Sequence, residues 1–141
     1  MSDSFSIRFM GVRGSIPTPL LGHDVKEKLT AALELAEPKD LVDENSRSAF
    51  IENLPDHLKG CLGGNSACVY INVGGEHIVL DAGTGIRVLG LEWMKQEFGK
   101  GQGKAHLLLS HTHWDHIMGL PFFTPMYVPG NKFILAGCHD N

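Results

Sequence analysis

The chain has 141 residues, 43% of them hydrophobic and 20% charged, with a formal net charge of −4. That length suits one compact domain, and the composition excludes wholesale disorder. The mild acidity gives no basis for a broad surface that recognises nucleic acid or an anionic membrane.

Ser4 to Met10 alternates Phe5, Ile7 and Phe9 with Ser6 and Arg8, the period of a half-buried strand. It runs into a loop punctuated by glycine and proline, Gly11-Val12-Arg13-Gly14-Ser15-Ile16-Pro17-Thr18-Pro19. Asp24 followed by Glu27 resembles a capping box, and Val25, Leu29, Ala32, Leu33 and Ala36 then recur at helical spacing until Pro38. A second helix is expected over Ser46 to Leu54, ending before Pro55. These elements read as a helical insertion, at about residues 20–60, without chemistry of its own.

Strand patterning resumes at Ala67, with Ala67, Val69, Ile71 and Val73 on one face. Gly74-Gly75 suits a hairpin turn, and His77 to Leu80 returns as its second strand. Asp81-Ala82-Gly83-Thr84-Gly85 closes that strand, and Ile86, Leu89, Trp93 and Phe98 mark an amphipathic helix. Leu107-Leu108-Leu109 has the continuous apolar character of a strand buried on both faces. Phe133 to Ala136 is one more short strand. Strands and helices interleave, so the fold class is α/β, or mixed α+β, in a single domain over 1–141.

No apolar run approaches the roughly 20 residues that cross a bilayer. The first residues carry no basic and apolar leader, and Cys61, Cys68 and Cys138 lack Cys-x-x-Cys spacing. Reduced, mostly buried thiols in a cytoplasmic protein are the expectation.

The chemistry is concentrated where the Leu107–Leu109 strand ends, in Ser110-His111-Thr112-His113-Trp114-Asp115-His116. Residues two apart in an extended segment point the same way, so His111 and His113 can offer two imidazoles to one cation. Asp115 and His116 follow after the chain turns and can face a second cation. Imidazole nitrogen and carboxylate oxygen suit zinc, manganese or iron. Three histidines and an aspartate within six residues have no good structural explanation, because burying them unliganded is costly. Asp81 ends a strand and can orient a ligand histidine through its ring N–H, or serve as a turn or cap residue.

The His-x-His-x-Asp-His run resembles the signature of the metallo-β-lactamase superfamily, and Asp81 matches its upstream motif aspartate. Gly14-Ser15-Ile16-Pro17-Thr18, Gly63-Gly64-Asn65-Ser66, Leu80 to Gly85 and His113 to Phe123 narrow the resemblance. Together they look like the branch of tRNA 3′-processing ribonucleases and cyclic-phosphate phosphodiesterases. The resemblance implies the amino-terminal half of an αββα sandwich, with His111 and His113 on a first metal and Asp115 and His116 on a second. It also implies that Asp115 orients the nucleophile, that Asp81 stands behind the ligands, and that Ser15, Asn65 and Ser66 lie in loops near the substrate. Ser15, Asn65 and Ser66 equally suit turn formation.

The implied activity is metal-dependent hydrolysis of a small-molecule or nucleotide phosphodiester by a metal-activated hydroxide, with two divalent ions, zinc foremost. Family members supply further ligands from a later half, whereas this chain offers only His139 and Asp140 after His116. The domain is therefore expected to be incomplete, either through a missing carboxyl-terminal half or through self-association. The alternative function is a non-catalytic metal-binding or interaction module completed by another chain.

Overall fold

The computed structural model describes residues 4–61 and 63–137. The chain divides into two compact units, Pro19–Leu62 and the remainder, Met1–Thr18 with Gly63–Asn141.

Within Pro19–Leu62, α1 spans Gly22–Leu35, α2 Glu44–Asn53 and the short α3 Asp56–Lys59, with a 3-10 turn at Pro38–Leu41. Asp24 acts from inside α1, not as its cap residue: its carboxylate accepts the Leu21 N–H at 2.7 Å. A helix leaves its first N–H groups unpaired, and a carboxylate one turn in satisfies the one that precedes it. α2 begins two residues earlier than its apolar pattern suggests, because Asp43 caps it by accepting the Ser46 N–H at 2.8 Å. The Lys28 amino group donates to the carbonyls of His57 and Gly60, tying α1 to the carboxyl end of α3.

The other unit is built on one five-stranded sheet in the order β1-β2-β3-β4-β5. Its strands are β1 Phe5–Gly11, β2 Cys68–Val73, β3 Glu76–Leu80, β4 Lys104–Leu109 and β5 Lys132–Gly137. β1, β2 and β3 are antiparallel neighbours, and β4 and β5 continue the sheet parallel to β3. The β2–β3 hairpin turns at Gly74-Gly75, whose φ values of 56° and 89° are those that glycine adopts without a Cβ penalty. Helix α4, Gly85–Trp93, makes the crossover that a parallel β3–β4 pair requires.

One face of the sheet carries the core. Tyr70, Val79, Ala105 and Leu107 pack there with Ile86, Leu89 and Trp93 of α4, together with Phe98 and Phe123. Trp93 and Phe98 stack with ring centroids 4.1 Å apart, so two large aromatic rings fill the space above the sheet together. Arg8 of β1 reaches Glu92 of α4 through two hydrogen bonds, at 2.7 and 2.9 Å.

The opposite face corrects an expectation. Leu107 is buried at 1% exposure, but Leu108 is 38% exposed. The Leu107–Leu109 strand is thus covered on one side only, because Leu108 lies on the face that α4 does not cover. Phe5, Ile7 and Phe9 of β1, Val73 of β2 and Ile134 of β5 are exposed hydrophobic residues as well. Among the described residues, no helix is long and apolar enough to cross a membrane.

Candidate metal centre

The centre lies at the carboxyl ends of β3 and β4, where parallel strands release their chains side by side. Leu80 pairs with Leu108, and the next residue, Asp81, donates its N–H to the Leu108 carbonyl at 2.9 Å. Asp81 has φ 60°, a left-handed conformation uncommon outside glycine, asparagine and aspartate. Beyond β4, Ser110 to His113 run into α5, Trp114–Ile117, which carries Asp115 and His116.

Two glycines let these segments approach closely. Ala82 and His116 are joined by an N–H···O bond of 2.7 Å, and Gly119 donates to the Ala82 carbonyl at 2.9 Å. A Cβ on Gly83 would meet the Asp115 carbonyl, and one on Gly119 would meet the Gly83 carbonyl. The Asp81–Gly85 turn and the segment that carries Asp115 and His116 are therefore locked backbone to backbone.

The side chains of His111, His113, Asp115 and His116 lie close together, with His111 nearer to His116 than to His113. The His111 ring centroid is 4.5 Å from that of His113 and 4.0 Å from that of His116. Asp115 Oδ2 lies 3.3 Å from His116 Nε2. Behind them, Asp81 Oδ2 is 2.8 Å from His116 Nδ1, so the carboxylate meets the ring nitrogen on the side away from Asp115. Asp81 also accepts the Ser110 N–H at 2.8 Å. Burial pushes the Asp81 carboxyl up, but the Ser110 amide, the bond from His116 and the Ser110 hydroxyl together hold it below the usual carboxylate range.

The first loop reaches the same place. A register shift between Phe9 and Gly11 ends the regular β1–β2 pairing, and Val12 and Arg13 then donate to the Asn65 carbonyl at 3.0 and 2.9 Å. Ser15, at φ 64°, donates its N–H to Asp115 Oδ2 at 2.9 Å. That bond is the main reason the Asp115 carboxyl lies below its ordinary range, against an opposing effect of burial.

Of the three loop residues expected near substrate, only Ser15 is exposed. Asn65 Oδ1 accepts the Thr84 hydroxyl at 3.1 Å. The fully buried Ser66 accepts the Thr84 N–H at 3.0 Å, and Thr84 Oγ1 accepts the Ser66 N–H at 3.0 Å. Asn65 and Ser66 thus clasp the loop at 63–66 to the Asp81 turn. Thr84, which closes this clasp, and Ser110 carried no signal in the sequence, since serine and threonine are commonplace in turns. His139 and Asp140 lie outside the described residues, as does Cys138.

This segment also has a counterpart among known proteins. Residues 61–130 match the family model of the metallo-beta-lactamase superfamily. The match runs from the loop before β2 to the turn before β5, so it contains Asp81 and every residue of the histidine cluster. No curated protein and no solved structure matches the chain. A mixed sheet flanked by helices is consistent with part of the metallo-β-lactamase fold, and that superfamily generally binds divalent metals, typically zinc.

The donor chemistry here fits that metal, since imidazole and carboxylate are borderline and hard ligands of the kind zinc accepts. Yet among the described residues, no three histidine, cysteine, aspartate or glutamate side chains form a group that could hold an ion by themselves. A catalytic zinc site ordinarily takes about three protein ligands.

Proposed function

We propose that this chain contributes the amino-terminal ligands of a two-metal hydrolase centre that acts on phosphodiesters. The observation that carries the reading is the convergence of His111, His113, Asp115 and His116 at the mouth of the parallel strands, with Asp81 against His116. His111 and His113 would hold one divalent ion, and Asp115 and His116 the other, zinc foremost and manganese or iron as substitutes. The metals, when bound, would supply Lewis acidity toward the phosphoryl group and a water of lowered pKa.

The chain's own residues do the positioning. Asp81 keeps the His116 ring in one orientation, as carboxylates behind metal-bound histidines do. Asp115 is buried and held ionised by the Ser15 amide, so it can orient a nucleophilic water without taking its proton permanently. Exposed Ser15 is the residue of the three best placed to meet substrate, while Asn65 and Ser66 act through the Thr84 clasp. The phosphodiester assignment is supported by the resemblance of the Gly14–Thr18 and Gly63–Ser66 loops to the branch that processes tRNA 3′ ends and cyclic phosphates.

Metal analysis after zinc or manganese loading, followed by turnover of bis-p-nitrophenyl phosphate, tests the reading. Metal-dependent turnover that is lost in Asp115→Asn is expected. A protein that holds two metals and never cleaves phosphodiesters would overturn the substrate assignment. The second reading, a metal-binding or interaction module completed by another chain, is favoured by the exposed apolar face of the sheet. Sedimentation analysis separates the two: an inactive, self-associated chain supports the module.

A further inference from the structure

The Ser110 hydroxyl lies within hydrogen-bonding distance of a carboxylate and two imidazoles. Its Oγ is 2.9 and 2.8 Å from the two Asp81 oxygens, 3.0 Å from His111 Nδ1 and 3.5 Å from His116 Nδ1. We infer that Ser110 is a positioning residue that relays the Asp81 charge to His111, so that one carboxylate fixes the tautomers of two metal-facing histidines. The inference rests on the proposed metal centre for its purpose, but its geometry is independent of any bound ion.

The proton assignments follow from counting donors. An ionised aspartate only accepts, so the nitrogen facing it at 2.8 Å, His116 Nδ1, must carry a proton. A hydroxyl has one hydrogen and two lone pairs. If Ser110 gave that hydrogen to His111, its lone pairs would face two carboxylate oxygens at 2.8–2.9 Å with no proton between them. The hydrogen therefore goes to Asp81, and toward His111 the hydroxyl oxygen can act only as acceptor, from Nδ1–H. Both rings then present a bare Nε2, the form in which imidazole binds a metal.

Asp81 acts on His116 directly and on His111 through Ser110. Because His111 and His116 belong to the two different donor pairs, the Asp81–Ser110 unit links the two halves of the centre. Nothing in the sequence distinguishes this serine; only the parallel alignment of Asp81 and Ser110 at adjacent strand ends brings them together.

Long-range proton–nitrogen NMR of the histidine side chains in the metal-free protein, above the imidazole titration range, reads the tautomers directly. Nδ1–H is expected for both His111 and His116. In Ser110→Ala, His111 should lose that preference and populate Nε2–H while His116 keeps Nδ1–H, and Ser110→Thr should restore His111. Zinc affinity should fall about 10- to 100-fold in Ser110→Ala, the usual effect of losing a partner behind a ligand.

A wild-type His111 protonated on Nε2, or a His111 tautomer unchanged in Ser110→Ala, would overturn the inference. Should the Ser110→Thr spectrum match that of Ser110→Ala, a relay through the hydroxyl is likewise excluded. If the tautomers respond as expected but zinc does not bind, the proposed function fails while the role of Ser110 stands.

Discussion

Among the described residues, Ser15 and Asp81 are the non-glycine residues with positive φ, and they bond to Asp115 and His116 respectively. Left-handed backbone costs energy in most residues and persists where surrounding bonds determine it. Ser15 spends that cost on aiming its N–H at Asp115. Ser15→Gly keeps both the N–H and the conformation, so zinc binding should stay at the wild-type level. Ser15→Pro removes the donor and fixes φ near −65°, and zinc binding should weaken by about tenfold or more, as measured by competition with a chromogenic chelator. Equal affinities in the two variants would show that the Ser15 amide does not position Asp115. The cysteines give a second test at this scale. Cys68 is fully buried, and burial pushes its thiol up to about 12, whereas Cys61 is exposed. Since the thiolate is the reactive form, iodoacetamide at neutral pH should label Cys61 and leave Cys68 unmodified until the protein unfolds. Peptide mass spectrometry checks this, and comparable labelling of the two would contradict the packing around β2. The expectation of mostly buried thiols thus holds for Cys68 and not for Cys61.

At the scale of elements, α4 is held to the sheet by stacked aromatic rings and by the Arg8–Glu92 pair, two contributions of very different size. Truncating Trp93 or Phe98 to alanine removes a fully packed ring and should cost about 3–5 kcal/mol in denaturant unfolding. The Arg8–Glu92 pair is more than a third exposed on both sides, so solvent screening limits it to about 0–1 kcal/mol. The Arg8 bond lowers the Glu92 pKa, so the stability it adds is present above the ordinary glutamate value of 4.5 and is lost as pH falls through the lowered folded value. The melting temperatures of wild type and Arg8→Gln should differ slightly at pH 7 and converge at low pH; a difference that grows on acidification would contradict this sign. The strands were legible because alternation at Phe5–Phe9 and at Val69–Val73 reports the pleat directly. The α4 helix was legible because Ile86, Leu89 and Trp93 keep the period of the face they bury, but it ends at Trp93, and Phe98, expected on the same helix, lies on the 3-10 turn Glu97–Lys100 beyond the break. The cap at Leu21 and the clasp through Thr84 were not legible, since each depends on a polar group meeting a partner that spacing alone does not identify. Gly83 shows how tightly those meetings are constrained: Gly83→Ala would place a Cβ against the Asp115 carbonyl and 2.6 Å from the Ala67 oxygen. That variant should lose zinc binding even where circular dichroism shows the sheet intact.

For the molecule as a whole, the histidine cluster could be read from the sequence because its density has no structural use, and counting the histidines and carboxylates after His116 already pointed to an incomplete ligand set. Ligand count depends on what else reaches the mouth of the sheet, and the described residues form no group of three possible ligands. The same dependence misled the reading of Leu107–Leu109. An apolar run is compatible with burial on both faces, but whether Leu108 is buried depends on a layer opposite α4 that a local pattern does not encode. The outer face that results carries Phe9 at 73% exposure together with the exposed Phe5, Ile7, Val73, Leu108 and Ile134, an apolar grouping of the kind that marks a contact surface. Phe9 and Leu108 sit on β1 and β4, at separate points across that face. Replacing both with lysine removes apolar area without disturbing the Trp93 core, so unfolding free energy should change by no more than about 0.5 kcal/mol per site. Binding of the dye ANS to the native chain should fall sharply in the Phe9→Lys/Leu108→Lys double variant, as should any concentration-dependent sedimentation. If dye binding and sedimentation are unchanged while the fold is retained, the exposed face is not the adhesive surface of this chain. A large loss of stability would instead show that Phe9 or Leu108 is buried in solution, and that the sheet already has a second layer.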